Sequence, residues 1–226
     1  MVRLLVIALL ALAPAPSALA ALDSGPRAAS GFAIANVERP VALRASPGGR
    51  ILARVSPLTE LGSPQALGVV KVRNGWLGVV SPRLPAGRLG WLPVGSAHLT
   101  STTQSLTLDL SRRLLTLRAD GKVVRRMPVG IGSSSTPTPV GRFAVTDKLS
   151  GAPYGPWYGC CIVALSARQD SLPVGWEGGD RIAIHGTDRP RTIGIPSSNG
   201  CVHARADDLR LLMRRLPLGA PVFIHA

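Results

Sequence analysis

Apolar residues in this chain come in short runs separated by turn formers, the texture of strands rather than of long helices. From Phe32 to Leu99 the runs are broken at Ser46-Pro47-Gly48-Gly49 and again at Gly62-Ser63-Pro64, and Gly90-Trp91-Leu92-Pro93 closes the region. Asn74-Gly75 sits between Val69–Arg73 and Trp76–Val80, a strong short-range hairpin signal because a type I′ turn needs two residues that tolerate positive φ. Regularly spaced short strands over residues 32–100 predict a small β-barrel.

Ser101-Thr102-Thr103 reads as a short polar linker. A second β-rich unit then begins at Ser105, where Leu106, Leu108 and Leu110 alternate with polar residues, as in a half-buried strand. Leu115–Arg118 and Val123-Val124 flank Asp120-Gly121, a second hairpin signal. Phe143–Thr146, Ile162–Leu165, Arg181–Ile184 and Val222–Ile224 are further strand candidates. One helix stands out. Leu209, Leu212, Met213 and Leu216 fall at i, i+3, i+4 and i+7, Asp207 and Asp208 open it, Arg214 and Arg215 close it in keeping with the helix dipole, and Pro217 ends it. The fold class is therefore mainly β, with one helix in the C-terminal half.

The N-terminus is of another kind. Arg3, the apolar run Leu4–Leu12 and Ala18-Leu19-Ala20 make a secretory signal over residues 1–20, with an apolar run too short to cross a bilayer. Residues 21–31 read as a flexible lead-in, and no later segment is long and apolar enough to span a membrane. The expected location is extracytoplasmic. The formal charge is +14. Charge of this sign attracts polyanions; export argues against nucleic acid and for an anionic wall polymer or lipid headgroup, with a generically basic surface as the alternative.

Export also makes the three cysteines informative. An odd count leaves at least one thiol unpaired. Cys160 and Cys161 are vicinal and, on a strand, would point to opposite faces, one buried and one facing elsewhere. Cys201 lies in Ser198-Asn199-Gly200-Cys201-Val202, downstream of Ile184-His185-Gly186-Thr187 and Ile193-Gly194. Cysteine is a strong nucleophile that is partly ionised near neutral pH, and a neighbouring histidine can take its proton. Gly186 and Gly200 permit close backbone approach, and amides around Gly200 and Cys201 are candidates to face a developing oxyanion. No zinc-ligand spacing is present.

The whole string, His-Gly-Thr, an intervening Gly, then Ser-x-Gly-Cys, resembles the signature of the L,D-transpeptidase catalytic domain, the YkuD family. Upstream, Thr136-Pro137-Thr138-Pro139-Val140-Gly141-Arg142-Phe143 and Val129-Gly130-Ile131-Gly132 extend the likeness, so that it covers residues 104–226. The resemblance implies a β-sandwich catalytic domain, with Cys201 as nucleophile, His185 as base, Gly186 orienting the imidazole, Ser198 as the motif hydroxyl and Gly200 as the tight turn before the nucleophile. It implies a thioester formed on a peptidoglycan tetrapeptide stem, resolved by a second stem's amine into a 3→3 cross-link, without metal or cofactor. Water as acceptor would make an L,D-carboxypeptidase, and a protein amine would make a wall anchor; a catalytically inactive wall-binding protein is the reading from another class. Two positions depart from the family pattern. Asn199 stands where His is frequent, and His203 where Arg or Asn is usual, so either His203 makes another substrate contact or Arg205 or Arg191 supplies the charge for a substrate carboxylate. Tyr154-Gly155-Pro156-Trp157 lies where the family has a lid, which makes Tyr154 and Trp157 substrate-contact candidates. Gly75-Trp76-Leu77-Gly78-Val79 with Gly90-Trp91-Leu92 resembles a bacterial SH3-like domain over residues 32–100, in which Trp76 and Trp91 read as core.

Overall fold

The computed structural model describes residues 31–226; the expected secretory signal and all but the last residue of the expected lead-in lie outside them. Seven strands come first: β1 Phe32–Asn36, β2 Val41–Arg44, β3 Ile51–Val55, β4 Ala66–Arg73, β5 Trp76–Val79, β6 Gly90–Pro93 and β7 His98–Thr102. They pair in the order β3-β2-β6-β5-β4-β1-β7. The β4–β5 turn is the Asn74-Gly75 pair, with φ of 47° and 76°, as a type I′ turn requires. Leu43, Leu67, Leu77 and Leu92 are fully buried beneath this sheet. Trp91 is also buried, lying over Gly78, whereas Trp76 is only half-buried, and neither belongs to the main apolar cluster of this sheet. Hydrogen bonding leaves β3 and β7 as the ends of the sheet, so the expected barrel is not closed by strand pairing. The expected linker is also shorter than its polar composition suggests. Ser101 and Thr102 belong to β7, paired with Ala33 and Phe32, because an edge strand with a solvated face is as polar as a linker.

The remaining strands are β8 Ser105–Asp109, β9 Leu114–Ala119, β10 Lys122–Pro128, β11 Ile131–Gly132, β12 Gly141–Ser150, β13 Cys161–Arg168, β14 Arg181–His185, β15 Pro196–Ser198, β16 Val202–His203 and β17 Pro221–His225. Eight of them form one sheet in the order β10-β9-β8-β17-β12-β13-β14-β16, and β11 pairs with β15. The β9–β10 turn is Asp120-Gly121, again with both φ positive. The ten-residue β12 links the two halves of the sheet: residues 141–144 pair with β17 and residues 145–150 lie along β13. Both halves contribute to a single buried cluster, Leu106, Leu115 and Val222 from one and Val163, Leu165 and Ile184 from the other. The sheet thus closes on its own core in the manner of a sandwich. Helix α1, Ala206–Arg215, covers that core with Leu209 and Leu212. Its first turn holds Arg125 through Asp208 at 3.0 Å, and Lys148 Nζ donates to the Met213 and Leu216 carbonyls at its C-terminus, where a cation complements the helix dipole.

The two sheets meet through polar contacts as well as packing. Thr59 donates to the carboxylate of Asp147, and Glu60 pairs with Arg181. Arg142 donates to the Val69 carbonyl at 2.9 Å and Arg168 to the Pro82 carbonyl at 2.5 Å. Asp147 has no exposed surface, and its second oxygen has only the Arg181 guanidinium near it, at 3.8 Å.

Candidate active site

The site is a product of strand alternation. Along β14, Ile182 and Ile184 point into the core, which leaves Arg181, Ala183 and His185 on the other face. β16 pairs with β14 in parallel, Ile184 opposite Val202 and His185 opposite His203, which brings Cys201 beside Ala183. Val202 joins the core, and Cys201 and His203 fall on the same face as His185. Cys201 and His185 are thus diagonal neighbours on one face of adjacent strands. Cys201 packs on the small apolar patch made by Ile162, Ala164 and Ala183, and its thiol donates to the Arg181 carbonyl at 3.7 Å.

The turn before Cys201 is held from three sides. Gly200 has a φ of 112°, and a Cβ there would run into the Gln169 amide, so only glycine fits. Ser198 Oγ donates to the Cys201 carbonyl and accepts the Gly200 N–H at 3.1 Å. Thr136 Oγ1 donates to the Ser198 carbonyl and Thr138 Oγ1 to the Gly200 carbonyl, both at 2.9 Å. The Thr-Pro-Thr-Pro segment is therefore a clamp on the cysteine turn, which gives that motif a physical reason. One expectation is corrected: the Gly200 amide is engaged by Ser198 Oγ and is not free to face an oxyanion.

His185 is buried, and its Nδ1 lies 2.6 Å from the Gly186 carbonyl. A carbonyl only accepts, so Nδ1 carries the proton and a neutral ring keeps its Nε2 lone pair. Gly186 in turn donates its N–H to the Tyr158 carbonyl at 2.8 Å, and a Cβ on Gly186 would come within 2.7 Å of the Gly159 Cα. The absence of a side chain is what lets the segment Pro156–Tyr158 settle over the histidine, with the Tyr158 ring 4.7 Å from the imidazole. Burial, and then the neighbouring His203 at 5.0 Å between ring centres, push the His185 pKa down to about 4, against the opposing effect of the Gly186 and Trp157 carbonyls. Burial also lowers the pKa of His203, which Asp188 partly offsets, and raises that of the Cys201 thiol. The resting pair is a neutral thiol beside a neutral imidazole. Such a pair can transfer its proton as the sulfur attacks an electrophile.

Cys201, His185 and His203 open into a cavity of about 720 Å³, a size suited to a peptide segment. Of the substrate-contact candidates, Trp157, Asn199 and His203 line it. Tyr154 stands one step behind, edge-on to Tyr158 at 5.9 Å. Arg191 and Arg205 are exposed outside it; Arg181 and Arg189 are the arginines that line it instead. Arg191 lies in the short 3-10 turn Pro190–Thr192 and Arg205 precedes α1, whereas Arg189 and Arg181 sit on the cavity wall. Gln169, Trp176, Arg181 and Asp188 also line the cavity without having been singled out in the sequence, and only Trp176, set among Gly175, Gly178 and Gly179, carries a compositional signal. The vicinal cysteines differ from expectation as well. Cys160 and Cys161 are disulfide-bonded to each other. β13 begins at Cys161, so Cys160 lies in the turn after Gly159, whose φ is 62°, and strand alternation does not govern it. Among the described residues no group of His, Cys, Asp and Glu is arranged to hold a metal ion.

Comparison with known proteins gives the same part of the chain a family. The family model of the YkuD type, described as the L,D-transpeptidase catalytic domain, matches residues 103–224. The chain is similar to YkuD of Bacillus subtilis, with 26% identity over 122 residues, 53% of this chain and 65% of that one. It is 32% identical to YqjB of the same organism over 112 residues, 46% of this chain and 61% of the other. It therefore spans somewhat less than two thirds of these relatives' length. A solved L,D-transpeptidase from Mycobacterium smegmatis aligns over 85% of this chain and 93% of its own, at 20% identity and a TM-score of 0.46, too loose a likeness for comparing sites. Since the family model takes in more than half of its residues, the chain belongs to the YkuD family of L,D-transpeptidase catalytic domains.

Proposed function

We propose that the protein is an extracytoplasmic cysteine L,D-transpeptidase that cross-links peptidoglycan stems. The Cys201 thiol attacks the carbonyl between an L-centre and the terminal D-residue of a tetrapeptide stem. Neutral His185 accepts the thiol proton and returns it to the departing amine, leaving a thioester. A second stem's side-chain amine then attacks the thioester, His185 takes that amine's proton, and the thiol is re-formed as the 3→3 cross-link is released. Ser198, Gly200 and Gly186 hold the reacting groups; Asn199, His203, Trp157 and the adjacent Tyr154 contact substrate. Residues 32–100 are an SH3-like module carrying the catalytic unit at residues 104–226, and residues 1–20 direct export. Its basic surface meets anionic wall polymers rather than nucleic acid.

The observation that carries this reading is the placement of Cys201 and His185 on one sheet face, above one cavity. Intact-mass measurement after carbapenem treatment tests it. Wild type should gain one adduct, Cys201→Ala none, and His185→Ala should acylate far more slowly. Labelling that survives Cys201→Ala overturns the nucleophile assignment. Wall digests containing shortened stems but no 3→3 dimers overturn cross-linking.

A further inference from the structure

The chain has few aromatic residues, 4 Trp, 2 Tyr and 3 Phe. Among the described aromatic residues only Tyr154, Trp157 and Trp176 are exposed, and the two tryptophans line the cavity, with Tyr154 behind Tyr158. Trp157 is 57% exposed and Trp176 43%. Indoles are ordinarily buried, because their large apolar faces are costly in water. Two exposed tryptophans on one cavity rim require a reason.

Their local geometry is the same in both loops. A Cβ on Gly155 would lie 2.7 Å from the Trp157 ring, and a Cβ on Gly178 would lie 2.5 Å from the Trp176 ring. Each indole therefore lies against the backbone of a glycine two residues away, one face covered and the other open. The Trp176 indole N–H is already spent on the Gly179 carbonyl at 2.7 Å, which holds the ring in place and leaves only its face to offer a ligand. The loops leave opposite ends of β13, whose eight residues separate their roots by about 23 Å. Both rings nevertheless line the cavity that holds Cys201, so a ligand that touches both presents more than one flat apolar face. Pyranose rings have such faces, through their axial C–H groups, and weak C–H···π contacts suit them. Glu177, Asp188 and Asn199 on the same wall supply acceptors and donors for hydroxyl and acetamido groups.

We propose that Trp157 and Trp176 are stacking platforms for a glycan, so that the mouth of the cavity binds the saccharide strand from which the stem peptide hangs. This rests on the stem-peptide reading above and adds to it: Trp157 contacts the substrate through its sugars, and Trp176 becomes part of the site.

The test uses the full chain and a stem-free N-acetylhexosamine hexasaccharide, followed by indole fluorescence and checked by isothermal titration. Binding should be saturable. Trp157→Ala and Trp176→Ala should each weaken it roughly five- to tenfold, the loss of one stacked ring, while Trp176→Phe retains most of it. Unchanged melting temperatures and circular dichroism show that the variants keep their fold. With stems still attached to short glycans, KM should rise in the alanine variants by a similar factor, and by more than it does with free tetrapeptide. No saturable binding by wild type, or an equal rise in KM for free tetrapeptide, overturns the proposal. Tryptophan-dependent hexasaccharide binding by a protein that forms no thioester would leave the platforms standing and remove the transpeptidase reading instead.

Discussion

His185 is a base that burial has made weak and therefore neutral over most of the pH range. Its pKa falls from an ordinary 6.5 to about 4. The unfolded chain binds this proton more readily than the folded one, so the contribution to stability is complete above pH 6.5 and is lost as pH falls towards 4. The amount at stake is about 3 kcal/mol. Melting temperature measured between pH 4 and 7 should decline towards acid in wild type and flatten in His185→Ala. Acylation of Cys201 should hold level down to about pH 5 and fall only as His185 protonates; removing the second imidazole with His203→Gln should move that acid limb upward. Gly200 is the other decisive residue. Gly200→Ala forces a side chain onto a φ of 112° and into Gln169, a strain of about 1–3 kcal/mol at one position. Thiol labelling of Cys201 should slow sharply while circular dichroism stays that of a β protein. Both residues stand out in the sequence by type and spacing. The use of the Gly200 amide by Ser198 does not, because that bond depends on a rotamer.

At the scale of elements, the Thr136–Pro139 segment acts on a turn some sixty positions away in the chain. Thr138 Oγ1 accepts the Gly132 N–H and donates to the Gly200 carbonyl, both at 2.9 Å, in a buried setting. Thr138→Val keeps the shape and removes both bonds, which should cost about 1–3 kcal/mol in urea unfolding and slow acylation by loosening the cysteine turn. Strands and the helix were legible because period two and period 3.6 survive in the sequence: Leu106 and Leu108, Ile182 and Ile184, Leu209 and Leu212 all face the core as their spacing requires. Loops carry no such period. In residues 169–180 the glycines around Trp176 mark a loop but not its approach to the cavity, and Cys160 falls outside the alternation of a strand that starts one residue later. A β edge such as Ser101-Thr102 imitates a linker for a related reason, since its exposed face is polar.

Across the whole molecule the two sheets are joined at a buried charge. Asp147 is wholly inside, with Thr59 from the first sheet's loop on one oxygen and Arg181 near the other. Arg181 also pairs with Glu60, donates to Thr146 Oγ1 at 2.6 Å, and offers its carbonyl to the Cys201 thiol. Arg181→Met would leave the Asp147 charge uncompensated and should lower stability by about 3–5 kcal/mol; adding Asp147→Asn should recover a good part of that. Denaturant unfolding of the two variants measures both values. No sequence pattern connects Thr59 or Glu60 with Asp147 and Arg181, because partners so far apart meet only when two sheets dock.

The parallel meeting of β14 and β16 has a consequence for how such a chain can change. His185 and Cys201 are each fixed by strand register, and the stretch between them leaves the sheet and returns. Insertions and deletions across residues 187–191 alter what approaches the sulfur, whereas residues 192–195 are tied to Val129, Ile131 and His203. A single-residue slip at Gly200–Val202 would exchange thiol and valine between cavity and core, and end the chemistry at once. Variation in acceptor preference has room to arise in the excursion, whereas the two short strands tolerate almost none.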